Sequence, residues 1–573
     1  MHGIASTVLL CASLVIASSS NSTSLVDLGY VEVSGSINTT LSTITYWGLP
    51  FAQAPTGDLR WRAPVPIEAS RDDTYKQVFN ATQPGAQCVQ GPPVWQLALA
   101  GTAALIAPAE PAPVRPSSED CLLLDVIIPQ QAKSGLLPVV VQIHGGVECF
   151  HTRPLSGLAN LVIGYTEGNS DSSDGHPFVA YSNGSVVWVQ IQYRLGAYGF
   201  LGGTEVDQSG DTNVGLLDQR LALEWVQNHI RSFGGDPTQV TIWGGSAGGG
   251  SVTNQLIAFG GEANPPFRAA IAEYPWWQPF HDKETLTSQY EVLLSATNCT
   301  DIVCMRNLDY DALANATMKS YIDAYSSGLY GYGDFYYGPY VDGKFIQDLP
   351  SEEFGQGRWS KVPLLLDHDA FEGLIFTNAS ITTSSETVAT LETVFQANDP
   401  AIIARFQQFN EFFSNPIYQE FAAPNALNLT EQDTEYWRLQ TAIGNIFINC
   451  GTYYAGLAAG NSAVPAWKLV FNAGIYVHAA TSSYLFSESS RTANATLADI
   501  MKGYFWSFIV NLDPNSGPDG TSSSRQFWPQ YASNSTNNFR ILQINETSIG
   551  VQDDGDVSDR CDFWNSQGLF VKN

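Results

Sequence analysis

Basic residues are scarce in this 573-residue chain: 26 Lys and Arg stand against 55 Asp and Glu, a formal net charge of −29. Such a surface repels polyanions, which excludes nucleic acid as a partner. Charge of either sign is in short supply, at 14% of residues where an average soluble protein has roughly 25%. Hydrophobic residues nevertheless make up 44% and aromatic ones 12%, so disorder is excluded and a large core can be buried. Metal-ligand spacing is missing as well. There is no C-x-x-C pair and no H-E-x-x-H, and the eight histidines are scattered singly, so no metal and no other cofactor is expected. Beyond the N-terminus no run reaches the roughly 18 apolar residues of a membrane span, and Leu569 to Asn573 carry neither a GPI-type tail nor a retention signal. No integral membrane association is expected.

What is present begins with Val8 to Ala17, VLLCASLVIA, an apolar stretch followed by Ser18-Ser19-Ser20. Its length and small-residue exit predict a signal peptide over residues 1–20, cleaved near Ala17 to Ser20, although the n-region carries only His2. The mature chain, 21–573, is then secreted and extracellular. In that setting the N-x-Ser/Thr sequons at Asn21, Asn38, Asn80, Asn183, Asn298, Asn315, Asn378, Asn428, Asn494, Asn534 and Asn545 are glycan acceptors that can supply the polarity the charges do not. Removing Cys11 with the signal leaves Cys88, Cys121, Cys149, Cys299, Cys304, Cys450 and Cys561, an odd set in a compartment where disulfides persist. At least one is unpaired.

Short β-branched runs at Val139 to Ile143, Val186 to Ile191, Val240 to Trp243, Leu364 to Leu366 and Trp467 to Phe471 show no strict alternation, the pattern of strands buried on both faces. Helical stretches lie between several of them, most clearly Leu216 to Ile230. That order predicts βαβ units on a central, mostly parallel sheet flanked by helices, hence an α/β class. No repeat and no Gly/Ser- or Pro-rich linker divides the chain, so one large domain is expected.

The sharpest local signal is Gly244-Gly245-Ser246-Ala247-Gly248, which fits G-x-S-x-G and directly follows the strand-like Val240 to Trp243. Glycines there permit a tight strand-to-helix turn that pushes Ser246 out as a nucleophile. A base and an acid must follow in the order Ser, acid, His. His478 is the only histidine beyond residue 368, and it comes just after Trp467 to Phe471. For the acid, Leu364 to Leu366 run into Asp367-His368-Asp369-Ala370-Phe371-Glu372; Glu372 is the first choice and Asp369 the second, to accept the second imidazole N–H. Backbone N–H groups of Gly145, Gly146 and Ala247 are the expected oxyanion donors, since His144-Gly145-Gly146 follows the strand at Val139.

With these residues in hand, the chain resembles the type-B carboxylesterase/lipase family, the cholinesterase-like branch of α/β-hydrolases and its secreted fungal members, from about residue 28 onward. Tyr46 to Ala52 with Arg60-Trp61, Glu119 to Leu122, Gln192 to Gly196 and the block from Asn213 to Ser246 carry the likeness. The resemblance implies an α/β-hydrolase fold, with the family's nucleophile on Ser246, its acid on Glu372, its histidine on His478 and its oxyanion donors on Gly145, Gly146 and Ala247. Three positions depart from the family pattern. Gly245 stands where a Glu is usual, Val147 where a third glycine is, and Ala479 where a glycine follows the histidine. Loss of the buried carboxylate at 245 calls for support of the turn from elsewhere, and Ser251 is the candidate.

Cysteine pairing is also implied by the resemblance: Cys88 with Cys121, Cys299 with Cys304 and, less directly, Cys450 with Cys561, leaving Cys149 free. Within the 88–121 loop, Val94 to Pro108 is apolar with hardly a charge. In lipases of the family the equivalent loop is a flap over the acyl site, and here it is either such a flap or a loop packed permanently on the body. Trp276 and Trp277 fall where the family builds part of its acyl pocket, which favours short acyl groups. The implied activity is a serine carboxylesterase acting on a small-molecule or lipid ester, with a flap-covered lipase or sterol-ester hydrolase as the alternative. A non-catalytic binding or adhesion protein on the same fold is the reading from another class. No protein partner is implied.

Overall fold

Strands rich in Val, Ile and Trp with no polar face need cover on both sides, and the central strands of the computed structural model are built that way. The structure describes residues 24–70, 78–96, 115–146, 164–395, 434–517, 525–532, 538–567 and 571–573. The expected signal peptide, most of Val94 to Pro108, Val147 and Cys149 lie outside the described residues. Among those described, thirteen strands form one sheet. They are β1 (Ser24–Asp27), β2 (Glu32–Asn38), β3 (Thr43–Pro50), β4 (Val78–Ala81), β5 (Leu123–Pro129), β6 (Leu137–Ile143), β7 (Val187–Ile191), β8 (Gly235–Gly245), β9 (Ala269–Glu273), β10 (Leu364–Asp369), β11 (Ala466–Asn472), β12 (Arg540–Asn545) and β13 (Ile549–Asp553).

Their spatial order is β1-β2-β3-β5-β7-β6-β8-β9-β10-β11-β12-β13, with β4 beside β2. Every neighbouring pair from β7 to β12 is parallel. Antiparallel strands close both ends, β1, β2, β3 and β5 on one side and β13 on the other. The pleat sends Val139, Val141 and Ile143 of β6 into one core and Val140 into a second on the opposite face. On that second face Trp188 of β7 and Trp243 of β8 meet at 5.4 Å between ring centroids, enclosed by Phe178, Phe486 and Phe505. Helices supply both covers in a single domain, the mostly parallel α/β architecture expected from the sequence.

The strand runs seen in the sequence fall on β6, β7, β8, β10 and β11, with Val186 one residue before β7, and the clearest helix spans Val214–His229. It begins two residues before the apolar periodicity because Asn213, at φ 48°, turns the chain into it while its side-chain amide donates to the Tyr340 carbonyl and to Asp342. Disulfides join Cys88 to Cys121, Cys299 to Cys304 and Cys450 to Cys561. Among the described residues no helix is long and apolar enough to cross a membrane.

One polar cluster crosses the sheet beneath the later strands. Lys468 of β11 is fully buried, and its Nζ donates to Asp554 Oδ2 at 2.8 Å and Asp556 Oδ2 at 2.6 Å. The same Asp556 oxygen meets His368 Nε2 of β10 at 2.8 Å, and Tyr531 Oη donates to Asp554 at 2.6 Å. Burial by itself would lower the Lys468 ammonium, but the two carboxylates outweigh it and hold it above its usual value. Removing the ammonium would leave two buried carboxylates without their shared cation, with Tyr531 still donating to one and His368 still meeting the other. Lys468→Ala is therefore expected to destabilise by about 3–5 kcal/mol at neutral pH, measured by urea unfolding, with a smaller loss at pH 4, where the stranded acids can take up protons.

Candidate active site

In an open α/β sheet, chemistry gathers at the carboxyl ends of the strands where the strand order reverses. Here the chain leaves β6 for β7 on one side and then returns to β8 on the other. His144-Gly145-Gly146 follows β6, Ser246 follows β8, Tyr274 to Trp277 follow β9, Glu372 lies three residues past β10, and His478 lies in the loop after β11. Segments spread over more than 330 residues thus meet at one crevice, a span given by 478 − 144 = 334.

Ser246 stands between β8 and the helix Ala247–Ile257 at φ 57° and ψ −125°, a conformation costing on the order of 1–3 kcal/mol for a non-glycine residue. Backbone hydrogen bonds hold it there. Its N–H donates to the Glu273 carbonyl at 3.2 Å, and its own carbonyl accepts from Gly250 N at 2.8 Å and Trp276 N at 3.0 Å. The two flanking glycines are required by close packing: a Cβ at Gly244 would fall 2.3 Å from the Gly248 carbonyl, and one at Gly248 2.1 Å from that of Ile143.

Ser246 Oγ lies 2.8 Å from His478 Nε2, and His478 Nδ1 lies 2.5 Å from Glu372 Oε2. All three side chains are buried, none more than 4% exposed. Glu372 Oε1 accepts from the Asp369 N–H at 2.5 Å, which fixes the carboxylate plane. Asp369, the second choice for the acid, does not touch the imidazole. It accepts instead from Ala480 N at 3.0 Å and Thr481 N at 3.3 Å, pinning the far side of the histidine loop. That loop is strained, with Tyr476 at φ 62° and Ala479 at φ 69°. Alanine in place of glycine after the histidine therefore sits in the left-handed region, where glycine would not be strained.

The loop after β6 lies against the serine turn. A methyl on Gly145 would fall 2.3 Å from the Gly245 carbonyl, 3.1 Å from Ser246 Cβ and 3.3 Å from Ala247 N. Gly145 and Gly146 are buried, and His144 stacks on Tyr193 at 4.5 Å, with Tyr193 Oη donating to the His144 carbonyl at 2.8 Å. Burial pushes the His144 imidazole down to about 4, so it is neutral and serves to hold the loop. Ala247 opens the helix, where unsatisfied N–H groups and the helix dipole favour negative charge.

The tryptophan pair divides. Trp276 packs against Phe376 at 4.2 Å, Phe447 at 4.7 Å and Phe335 at 5.6 Å, and its ring centroid lies 6.3 Å from that of His478. Trp277 turns away. Its indole stacks on Phe354 at 5.7 Å and donates to Thr253 Oγ1 at 2.9 Å, a core contact with no reach to the serine. Ser251 does not fill the place beside Gly245; its hydroxyl accepts from Gln219 Nε2 at 2.9 Å on the neighbouring helix and hydrogen-bonds the phenols of Tyr165 and Tyr193, the second of which holds the His144 carbonyl. What fills the space beside Gly245 is the phenol of Tyr274. Nothing local in the sequence marks Tyr274, Asp369 or Phe376 for these places, since each depends on which strand ends lie side by side.

Carboxylates crowd this crevice. Glu273, Asp367 and Asp369 are fully buried, and burial, reinforced by their mutual charge and that of Glu372, pushes each well above the usual carboxylate range. Asp334, buried in the segment that carries Phe335, is pushed up by burial to about 7. Among the described residues no group of three or more His, Cys, Asp or Glu side chains could hold a metal ion.

Known proteins resemble the chain along nearly its whole length. Residues 22–564 match the profile of the carboxylesterase family. The chain is 27% identical over 578 residues to carboxylesterase patB of Aspergillus clavatus, covering 94% of this chain and 95% of that one. It is 29% identical over 524 residues to secreted lipase 1 of Botryotinia fuckeliana, covering 85% and 84%. The crystal structure of Aspergillus niger EstA superposes with a TM-score of 0.76 over 96% of this chain and 100% of its own, at 24% identity. The fold is that of the α/β-hydrolases.

The buried acids set the direction of pH dependence. Between about pH 4, where unfolded carboxyls ionise, and their raised folded values, the native state keeps protons that the unfolded chain has released. The contribution of these acids to stability then falls as pH rises. His368, raised because Asp556 outweighs its burial, acts in the same direction above about pH 6.5. The depressed Asp556 costs stability only below about pH 4. His144 and His281, which burial holds down to about 4, act in the opposite direction below about pH 6.5, so scanning fluorimetry is expected to give a higher melting temperature at about pH 6.5 than at pH 8; a rise towards pH 8 would contradict this assignment.

Proposed function

Because the chain belongs to the carboxylesterase family and is a carboxylic ester hydrolase, we propose that it is a secreted enzyme cleaving small-molecule esters through an acyl-enzyme on Ser246. The observation that carries this reading is the buried hydrogen-bond chain from Ser246 Oγ through both nitrogens of His478 to Glu372. His478 Nε2 takes the serine proton as Oγ attacks the ester carbonyl, and Glu372 accepts the Nδ1–H and stabilises the imidazolium. Charge arriving on the carbonyl oxygen is met by the N–H groups of Gly145, Gly146 and Ala247, each such donor being worth about 100- to 1000-fold in turnover. The imidazolium then protonates the departing alkoxide. Water, deprotonated by the same imidazole, attacks the acyl-serine, and the cycle closes on free acid and Ser246.

Acyl size follows from the wall beside His478. Trp276, wedged among Phe335, Phe376 and Phe447, shortens the pocket and supports a carboxylesterase preferring short chains. A lipase acting on long chains is the second reading, supported by the likeness to a secreted lipase and by the apolar Val94 to Pro108. Secretion is supported by the apolar N-terminal run, by three disulfides and by the sequons. Asn38, Asn80, Asn183, Asn298, Asn315, Asn378, Asn494 and Asn545 are all at least partly exposed.

Hydrolysis of p-nitrophenyl esters from acetyl to palmitoyl tests the reading. Turnover is expected to peak at short chains and to fall by roughly 10⁴-fold or more in Ser246→Ala. Activity that survives that substitution would sink it, and a long-chain optimum would favour the lipase. Trp276→Ala is expected to move the optimum to longer acyl groups, with about 10-fold or more gained on the first chain length the indole now excludes.

A further inference from the structure

Gly245, directly before the serine, has no side chain, and the space a side chain would take is occupied. An ideal Cβ there would fall 2.4 Å from Tyr274 Oη, 2.6 Å from its Cζ and 2.8 Å from its Cε2. Residue 245 can therefore carry no side chain while the phenol stays in place. Tyr274 reaches this position from an unusual backbone, φ 31°, held by its N–H donating to the Asp367 carbonyl at 2.9 Å and to Asp367 Oδ1 at 3.0 Å. A bulky residue with positive φ persists only where its surroundings fix it. Its ring stands edge-on to the His478 imidazole, centroids 5.0 Å apart at 76°.

The hydroxyl does something the ring does not. Tyr274 Oη lies 2.6 Å from Ser482 Oγ, and the Ser482 N–H donates to the Ala479 carbonyl at 3.2 Å. Ala479 is the neighbour of His478 and lies in the left-handed region. One hydrogen bond thus connects the residue filling the serine turn to the strained loop that carries the base. Asp369 pins the same loop from its other side, at Ala480 and Thr481.

We propose that Tyr274 is a positioning residue: through Ser482 its hydroxyl locks the His478 loop against the Ser246 turn, so that the imidazole meets Oγ in line for proton transfer. The proposal rests on the ester-hydrolysis reading above. It concerns geometry needed in the transition state, so its signature is a loss in kcat with KM unchanged. A role in packing alone would be met equally well by phenylalanine.

Tyr274→Phe keeps the ring and removes only the hydroxyl. With a short-chain p-nitrophenyl ester, kcat is expected to fall about 10- to 100-fold while KM stays within about twofold. Ser482→Ala should lose the same factor, and the double variant should be no slower than either single one, because both remove one bond. If Tyr274→Phe does not fold, Ser482→Ala carries the test, judged on the same split between kcat and KM. A kcat within twofold of the parent in whichever variant folds overturns the proposal, as do losses that multiply in the double variant. Failure of the underlying reading looks different: the parent enzyme would then be indifferent to Ser246→Ala.

Discussion

The serine turn requires backbone to touch backbone. With Ser246 at φ 57° and ψ −125°, the end of β8, the start of its helix and the loop after β6 come within van der Waals distance through Gly244, Gly248 and Gly145. No side chain fits at any of the three. The strain is balanced by three backbone hydrogen bonds, to Glu273, Gly250 and Trp276, so β9 and the segment after it are committed to the same junction. The position of the aromatic wall follows, because the carbonyl that anchors Trp276 is that of Ser246 itself.

A second constraint concerns charge. Five carboxyl groups, those of Glu273, Asp334, Asp367, Asp369 and Glu372, are buried in or near the crevice, and nearby lies the Lys468, His368, Asp554 and Asp556 cluster. Burial takes these groups out of bulk solvent, so like charges are costly and protons are retained. Asp369 still does structural duty, because its two oxygens accept backbone N–H groups from the histidine loop whatever its protonation. Glu372 is the carboxylate that faces the imidazole, with the Asp369 N–H holding its other oxygen. Neighbouring acids three residues apart therefore take different places: one holds the loop and the other meets the His478 imidazole.

Replacement of a glutamate by glycine before the serine, and of a glycine by alanine after the histidine, are departures from the family pattern that look independent in the sequence. In the folded chain they meet. Gly245 leaves room for Tyr274, whose hydroxyl reaches the loop on which Ala479 is strained. Ser251, the nearest polar residue along the helix, bonds Gln219, Tyr165 and Tyr193 instead. Proximity in sequence was a poor guide here because a helix turns residue 251 away from 245, whereas the parallel pairing of β8 with β9 brings 274 beside it.

Much of this protein can be read from the order of its residues. Apolar runs without alternation at β6, β7, β8, β10 and β11 indicate strands covered on both faces, and the intervening helical stretches force those strands to be parallel. The G-x-S-x-G glycines mark a turn that only a strand followed by a helix can make. A single histidine after residue 368 leaves little choice of base, and these signals are local or depend on chain order alone. What only the tertiary structure decided depends on distance between segments far apart in the chain. It selected Glu372 over Asp369 at the imidazole, turned Trp277 into the core and Trp276 towards His478, and set Tyr274 in the space beside Gly245. Hydrogen bonds of under 3 Å and ring contacts of about 5 Å are set by strand register and pleat, which a one-dimensional pattern does not contain.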